Sequence, residues 1–217
     1  MTLLADEMTS TLTVPSATLP LSRVSGVAED LVYRLPGCSD LMVRKELQNA
    51  LRAFCRVTGA LKVSREYDIP SDGRVPLATA LEASVQTVHG VAFGDVAINR
   101  AYLSVEDGTP PVLVLSESAL SMAAVLGATT VAVAYSLVPL PGAEEVPEWF
   151  LRDHWDGIAS GAMSRLFSML GRPWSDPAQA KDEAAAYNVA VTAACLKTRR
   201  GGKVAGDLSS RNSTPWL

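Results

Sequence analysis

The amino-acid sequence predicts an α+β protein: a helical bundle formed by the N- and C-terminal segments, with a small antiparallel β-sandwich inserted between them. Three observations predict it. Apolar residues recur at three- and four-residue steps before residue 60 and again after residue 147, which is the signature of amphipathic helices. Between these stretches the period shifts towards two, and β-branched residues and turn signals replace the stripe. The 217 residues are 48% hydrophobic and 19% charged, enough apolar material for one domain, or for a helical domain carrying a small insert.

Taken in order, residues 1–22 are rich in Ser and Thr with Pro15 and Pro20, too polar to offset the entropy of ordering, and are expected to be a flexible arm. No cationic stretch ahead of an apolar run marks them as a secretory signal. Leu35-Pro36-Gly37 predicts a turn and Ser39 an N-cap. Val43, Leu47, Ala50, Leu51, Phe54 and Val57 then form one helical stripe, ended by Gly59.

The insert is expected over 61–141. Val63, Arg65, Tyr67 and Ile69 alternate, Ser71-Asp72-Gly73 turns, and Val131, Val133, Tyr135 and Leu137 alternate again before Pro139. Asp107-Gly108 and Pro110-Pro111 separate short strands, and Glu117 to Leu126 fits helix or strand equally. Helical periodicity returns at Pro147, a favoured first helical residue because its missing N–H would be unpaired there. Leu151, Trp155, Ile158, Ala162, Leu166 and Met169 form the stripe, and Gly171 with Pro173 stops it. Asp176 caps a second helix, Pro177 begins it, and Ala180, Ala184, Tyr187, Val191 and Ala194 are its core side before Gly201-Gly202. The expected domains are therefore a helical one from 23–60 and 142–200, a β one from 61–141, and a tail over 201–217.

The net charge of -4 argues against generic affinity for nucleic acid or anionic membrane. The tail departs from this. Lys197, Arg199, Arg200, Lys203 and Arg211 face Asp207 alone, and Trp216 offers an aromatic anchor, so the segment reads either as a docking arm or as a solvated disordered end. The most apolar run, Ala123 to Leu140, is interrupted by Gly127, Thr129, Thr130, Ser136 and Pro139, short of the ~20 apolar residues a membrane span needs.

Chemistry-bearing residues are sparse. His89 and His154 lack a second ligand at a recognisable spacing, and His154 falls on the polar part of its helix. Cys38, Cys55 and Cys195 are scattered and read as free thiols, Cys55 as a small core residue and Cys38 as the one weak candidate nucleophile. Glu144, Glu145 and Glu148 are the densest acidic cluster, at a helix N-terminus where the dipole favours them. Neither a phosphate-cradling Gly-rich loop nor a Gly-x-Ser-x-Gly elbow occurs. The expectation is a non-enzymatic protein without cofactor or metal. Gly157 and Gly161 lie on one helix face at a cost of ~1 kcal/mol each relative to Ala, which points to close approach of a backbone from within the chain or from another subunit.

Two segments carry a resemblance. Leu35-Pro36-Gly37-Cys38-Ser39 leads into a helix ending Phe54-Cys55-Arg56-Val57-Thr58-Gly59. Val146-Pro147-Glu148-Trp149-Phe150 leads through Gly157 and Gly161 to Gly171-Arg172-Pro173-Trp174-Ser175-Asp176-Pro177. With the strand Val131 to Pro139, these resemble the head-to-tail adaptor, or neck, proteins of tailed bacteriophages. What the resemblance implies is a helical bundle with an inserted β-sandwich, assembled as a dodecameric ring under the portal protein. Such a ring contacts further neck or tail proteins and passes the genome DNA through its channel without sequence-specific binding. It also implies location in the virion neck, and packing rather than catalytic roles for Leu35, Pro36, Gly37, Phe54, Pro147, Gly157, Gly161, Gly171, Pro173, Trp174, Asp176 and Pro177. A different class, a cytoplasmic module binding a small ligand or sugar through its β-sandwich, rests on the insert alone.

Overall fold

A computed structural model describes residues 21–77, 82–94, 96–98, 103–106 and 111–199. The elements in chain order are β1 (Leu21–Arg23), α1 (Val24–Val27), α2 (Glu29–Tyr33), α3 (Asp40–Thr58), β2 (Lys62–Asp68), β3 (Arg74–Pro76), β4 (Ala83–Phe93) and β5 (Val96–Ala97). They continue with β6 (Leu103–Glu106), β7 (Val112–Leu115), α4 (Glu117–Leu126), β8 (Thr130–Pro139), β9 (Glu145–Pro147), α5 (Glu148–Phe167) and α6 (Pro177–Arg199). The protein is mixed α and β with antiparallel sheets, and it divides into a unit built on Leu61–Glu148 and one built on Ser22–Ala60 with residues 149–199.

In the helical unit, α3 forms because Val43, Leu47, Ala50, Leu51, Phe54 and Cys55 fall on one face, and all are buried. Val57, expected on that stripe, is 60% exposed. Thr58 is buried in its place, because its hydroxyl donates to the Phe54 carbonyl at 2.7 Å and so carries no unmet polar group. Gly59 ends the helix at φ +58, in the left-handed region a side chain resists. Ser39 has N-cap backbone angles, but its side chain makes no capping bond. The two short helices α1 and α2 precede α3, bury Val24, Ala28 and Leu31, and were not expected from the sequence.

α5 buries Leu151, Ile158, Ala162 and Leu166 as its stripe predicts, and ends at Phe167, so Met169 lies in the following turn. Pro147 is not its first residue. It closes β9 instead, where a residue without N–H is tolerated at a strand end, and the helix starts one residue later. Residues 142–148 accordingly belong to the β unit, and Glu144 and Glu145 flank a strand while Glu148 alone sits in the helix's first turn. The α5–α6 turn is tied by backbone donation from Asp176 to the Phe167 carbonyl at 3.0 Å, and the Asp176 carboxylate accepts from the amides of Ala178 and Gln179 at 2.9 and 3.1 Å. Pro177 opens α6 as expected.

In the β unit, β8 is central to a four-stranded sheet ordered β2-β8-β4-β5, entirely antiparallel. Its alternating Val131, Val133, Tyr135 and Leu137 are buried, and from Tyr135 to Pro139 both faces are covered. β4 follows it with irregularities at Val85/Thr87 and Val88/Gly90. A second antiparallel sheet is ordered β3-β7-β6. The Ser71-Asp72-Gly73 turn leads into β3 with Gly73 at φ +68 and the Asp72 carboxylate accepting from the Arg74 amide. The ambiguous stretch is the helix α4, because the Ser116 hydroxyl accepts from the Ala119 amide at its start and Gly127 turns left-handed at its end. Asp107, Gly108 and Pro110 lie outside the described residues, as do positions 1–20 and 200–217.

Candidate functional site

Pro147 and His89 lie in the β unit, whereas Phe54, Gly157 and Gly161 lie in the helical unit, where they set how α3, α5 and α6 meet. Phe54 is fully buried, with its ring 6.3 Å from Phe150, 5.2 Å from His154 and 6.3 Å from Tyr187, so one side chain of α3 touches both other helices. Gly157 and Gly161 face α6. A Cβ added to Gly157 would lie 2.5 Å from the Ala190 Cβ, and one on Gly161 would lie 2.7 Å from the Tyr187 ring. The close approach inferred from their spacing is thus made within the chain. Across the same contact the Ser164 hydroxyl donates to the Ala180 carbonyl at 3.0 Å.

The turns are built from the remaining motif residues. Leu35 is buried, Pro36 exposed, and Gly37 takes φ +86. Gly171 takes φ +72, Pro173 is exposed beside it, and the Trp174 ring carries the Arg172 guanidinium 5.9 Å above it.

His154 is half-buried against Phe54 and Phe150 rather than on the polar side of α5, which corrects the sequence expectation. Burial first, and the charge of Lys197 second, lower its pKa from 6.5, while Asp153 opposes both. Burial is the largest single influence on Asp153 and would raise its pKa, but the Lys197 hydrogen bond at 3.3 Å and the charges of Lys197, Arg152 and His154 together outweigh it and hold Asp153 below its usual 3.8. Arg165 lies 3.8 Å from Glu46, joining α5 to α3.

The thiols are poorly set for nucleophilic work. Burial pushes Cys55 up to about 12, and burial also raises Cys38 despite the nearby Arg172, so both are held protonated. Cys195 is half-buried, with Sγ 3.7 Å from the Val57 carbonyl. His89 sits half-buried on β4. In the β unit the Tyr67 and Tyr135 hydroxyls bond at 2.9 Å, and burial with that bond raises the Tyr67 pKa.

Sequence reasoning missed an open depression of about 560 Å³ on the helical unit, lined by Asp30, Arg34, Trp155, Asp156, Ser160 and Glu183. The carboxylates fall on α2, α5 and α6, and the only local signal was the Glu29-Asp30 pair of a helix too short to show periodicity. Of the basic tail, Lys197 and Arg199 end α6, whereas Arg200, Lys203, Arg211 and Trp216 lie outside the described residues. Among the described residues no group of three or more His, Cys, Asp or Glu is placed to hold a metal ion, and no helix is long and apolar enough to cross a membrane. No protein-family model and no curated protein matches this chain.

Proposed function

We propose that the chain is a head-to-tail adaptor of a tailed phage: a helical bundle with an inserted β-sandwich that assembles as a ring under the portal, links head to tail and lines the path of the DNA. The observation that carries the reading is the resemblance at the Leu35-Pro36-Gly37 turn, the Phe54 helix and the Pro173-Trp174 turn, in matching order and spacing. The roles these residues play support it. They make turns, caps and helix crossings, which is what a structural ring subunit requires of its motif positions.

In this reading the segment after α6 is the docking arm for the portal. Lys197 is partly engaged by Asp153, so Arg199, Arg200, Lys203 and Arg211 with Trp216 carry the electrostatic and apolar parts of the contact. The test is co-sedimentation of the purified chain with portal-bearing, tail-less heads. The full chain is expected to bind saturably, and a chain lacking residues 201–217 to bind more weakly while its helical content is unchanged. Equal binding by both would remove the docking role of the tail, and no binding by either would remove the portal reading.

A further inference from the structure

The depression on the helical unit gathers negative charge that the fold leaves unmet. It is open, about 560 Å³, and Asp30 of α2, Asp156 of α5 and Glu183 of α6 line it together with Trp155 and Ser160. Arg34 is the one cation of the lining. Exposed charges next along the same helices do not change the sign, since Glu29 and Asp182 add to the carboxylates as much as Lys181 and Arg152 offset them. Among the described residues none of the three carboxylates is joined to a cation by an ion pair or a hydrogen bond. Carboxylates from three helices beside an indole suit a guanidinium, a planar cation that pairs with carboxylates through its fork of donors and lies over aromatic faces.

The chain carries such a group within reach. From Glu183 to Arg199 α6 runs roughly 24 Å, at ~1.5 Å per residue. Gly201-Gly202 follows, and adjacent glycines accept the backbone angles that a reversal of direction needs. Extended chain at ~3.3 Å per residue covers roughly 40 Å between Arg199 and Arg211, so Arg211 and Trp216 return to the depression with length to spare. Arg200, beside the helix end, does not. The charges are complementary, because beyond α6 Arg200, Lys203 and Arg211 are set against Asp207 alone.

We infer that the segment after α6 folds back along the helical unit of its own molecule and seats Arg211 in the depression, between Asp156 and Glu183. A contact too weak to join two separate molecules suffices here, because the tether keeps the segment at high local concentration. Held in this way, Arg211 and Trp216 are presented to a partner only when that partner displaces them. This last consequence rests on the docking reading of the tail, whereas the contact itself does not.

Trypsin cuts after Arg211 only in molecules whose depression has released it. In full-length protein the initial rate of that cut, followed by mass spectrometry and divided by the rate of the cut after Arg200, therefore reads the contact. In the Asp156→Asn, Glu183→Gln chain the ratio is expected to rise roughly three- to tenfold over the unsubstituted protein, the size of two partly exposed ion pairs with a cation–π contact. Glu66→Gln with Glu117→Gln, which removes two exposed carboxylates of the β unit, is expected to leave the ratio unchanged, and circular dichroism verifies that each variant is folded. A ratio that does not respond to Asp156 and Glu183, or that rises as much in the control, would overturn the inference. So would protection that fades as the unsubstituted protein is diluted, since that would put the segment on another copy. Portal binding with an unresponsive ratio discards the depression and keeps the docking arm, whereas a responsive ratio without portal binding keeps the contact and removes the portal.

Discussion

A methyl group on Gly157 would sit 2.5 Å from the Cβ of Ala190, an atom fixed to the backbone of α6, whereas one on Gly161 would meet the ring of the half-buried Tyr187. The helices can relieve the first clash only by moving apart, but the ring can shift to relieve the second. Gly157→Ala is therefore expected to destabilise by ~1–3 kcal/mol, overriding the ~1 kcal/mol that Ala gains in helix propensity, with a smaller loss for Gly161→Ala. Chemical denaturation measures both, and adding Ala190→Gly to Gly157→Ala is expected to restore most of the loss. A more stable Gly157→Ala would show that the helices are not held at this distance. The four-residue spacing was legible in the sequence, but its partner was not, since Ala190 is one of many alanines and only the fold brings it opposite. Lys197 and Asp153, 44 residues apart, pair for the same reason.

At the scale of elements, α3, α5, α6, β2 and β8 were legible because each is long enough to repeat its period. The helices α1 and α2 span four and five residues, less than two turns, and show no stripe. Glu117 to Leu126 was ambiguous because its apolar content is nearly continuous, and the Ser116 cap and Gly127 decide for helix. His154 was misplaced because a wheel drawn from α5 alone cannot show that Phe54 of α3 covers the ring. That contact has a pH signature. The folded pKa lies below 6.5, so the unfolded chain takes up the proton first. The stability due to neutral His154 is present above about pH 6.5 and is lost as the pH falls from there through the folded value. Asp153 acts only at lower pH, below 3.8. Denaturation midpoints of the full chain are expected to fall between about pH 7 and about pH 5, and less steeply in His154→Gln. Equal slopes in the two proteins would contradict the placement of His154.

For the whole molecule, residues 22–60 and 149–199 make one helical unit, and the stretch between them makes a β unit. An insert of this kind puts two units of different character on one chain: helices that carry exposed charges on their outer sides, and sheets whose central strand is buried. A ring adaptor has use for both, one for its neighbours and one for the components above or below it. The tail, three of whose five basic residues follow Arg199, was legible in composition alone. The most direct measurement is negative-stain imaging of the full-length protein mixed with portal-bearing, tail-less heads. The account predicts a ring of added density at the portal vertex and nowhere else on the head; bare portals at saturating protein would contradict it.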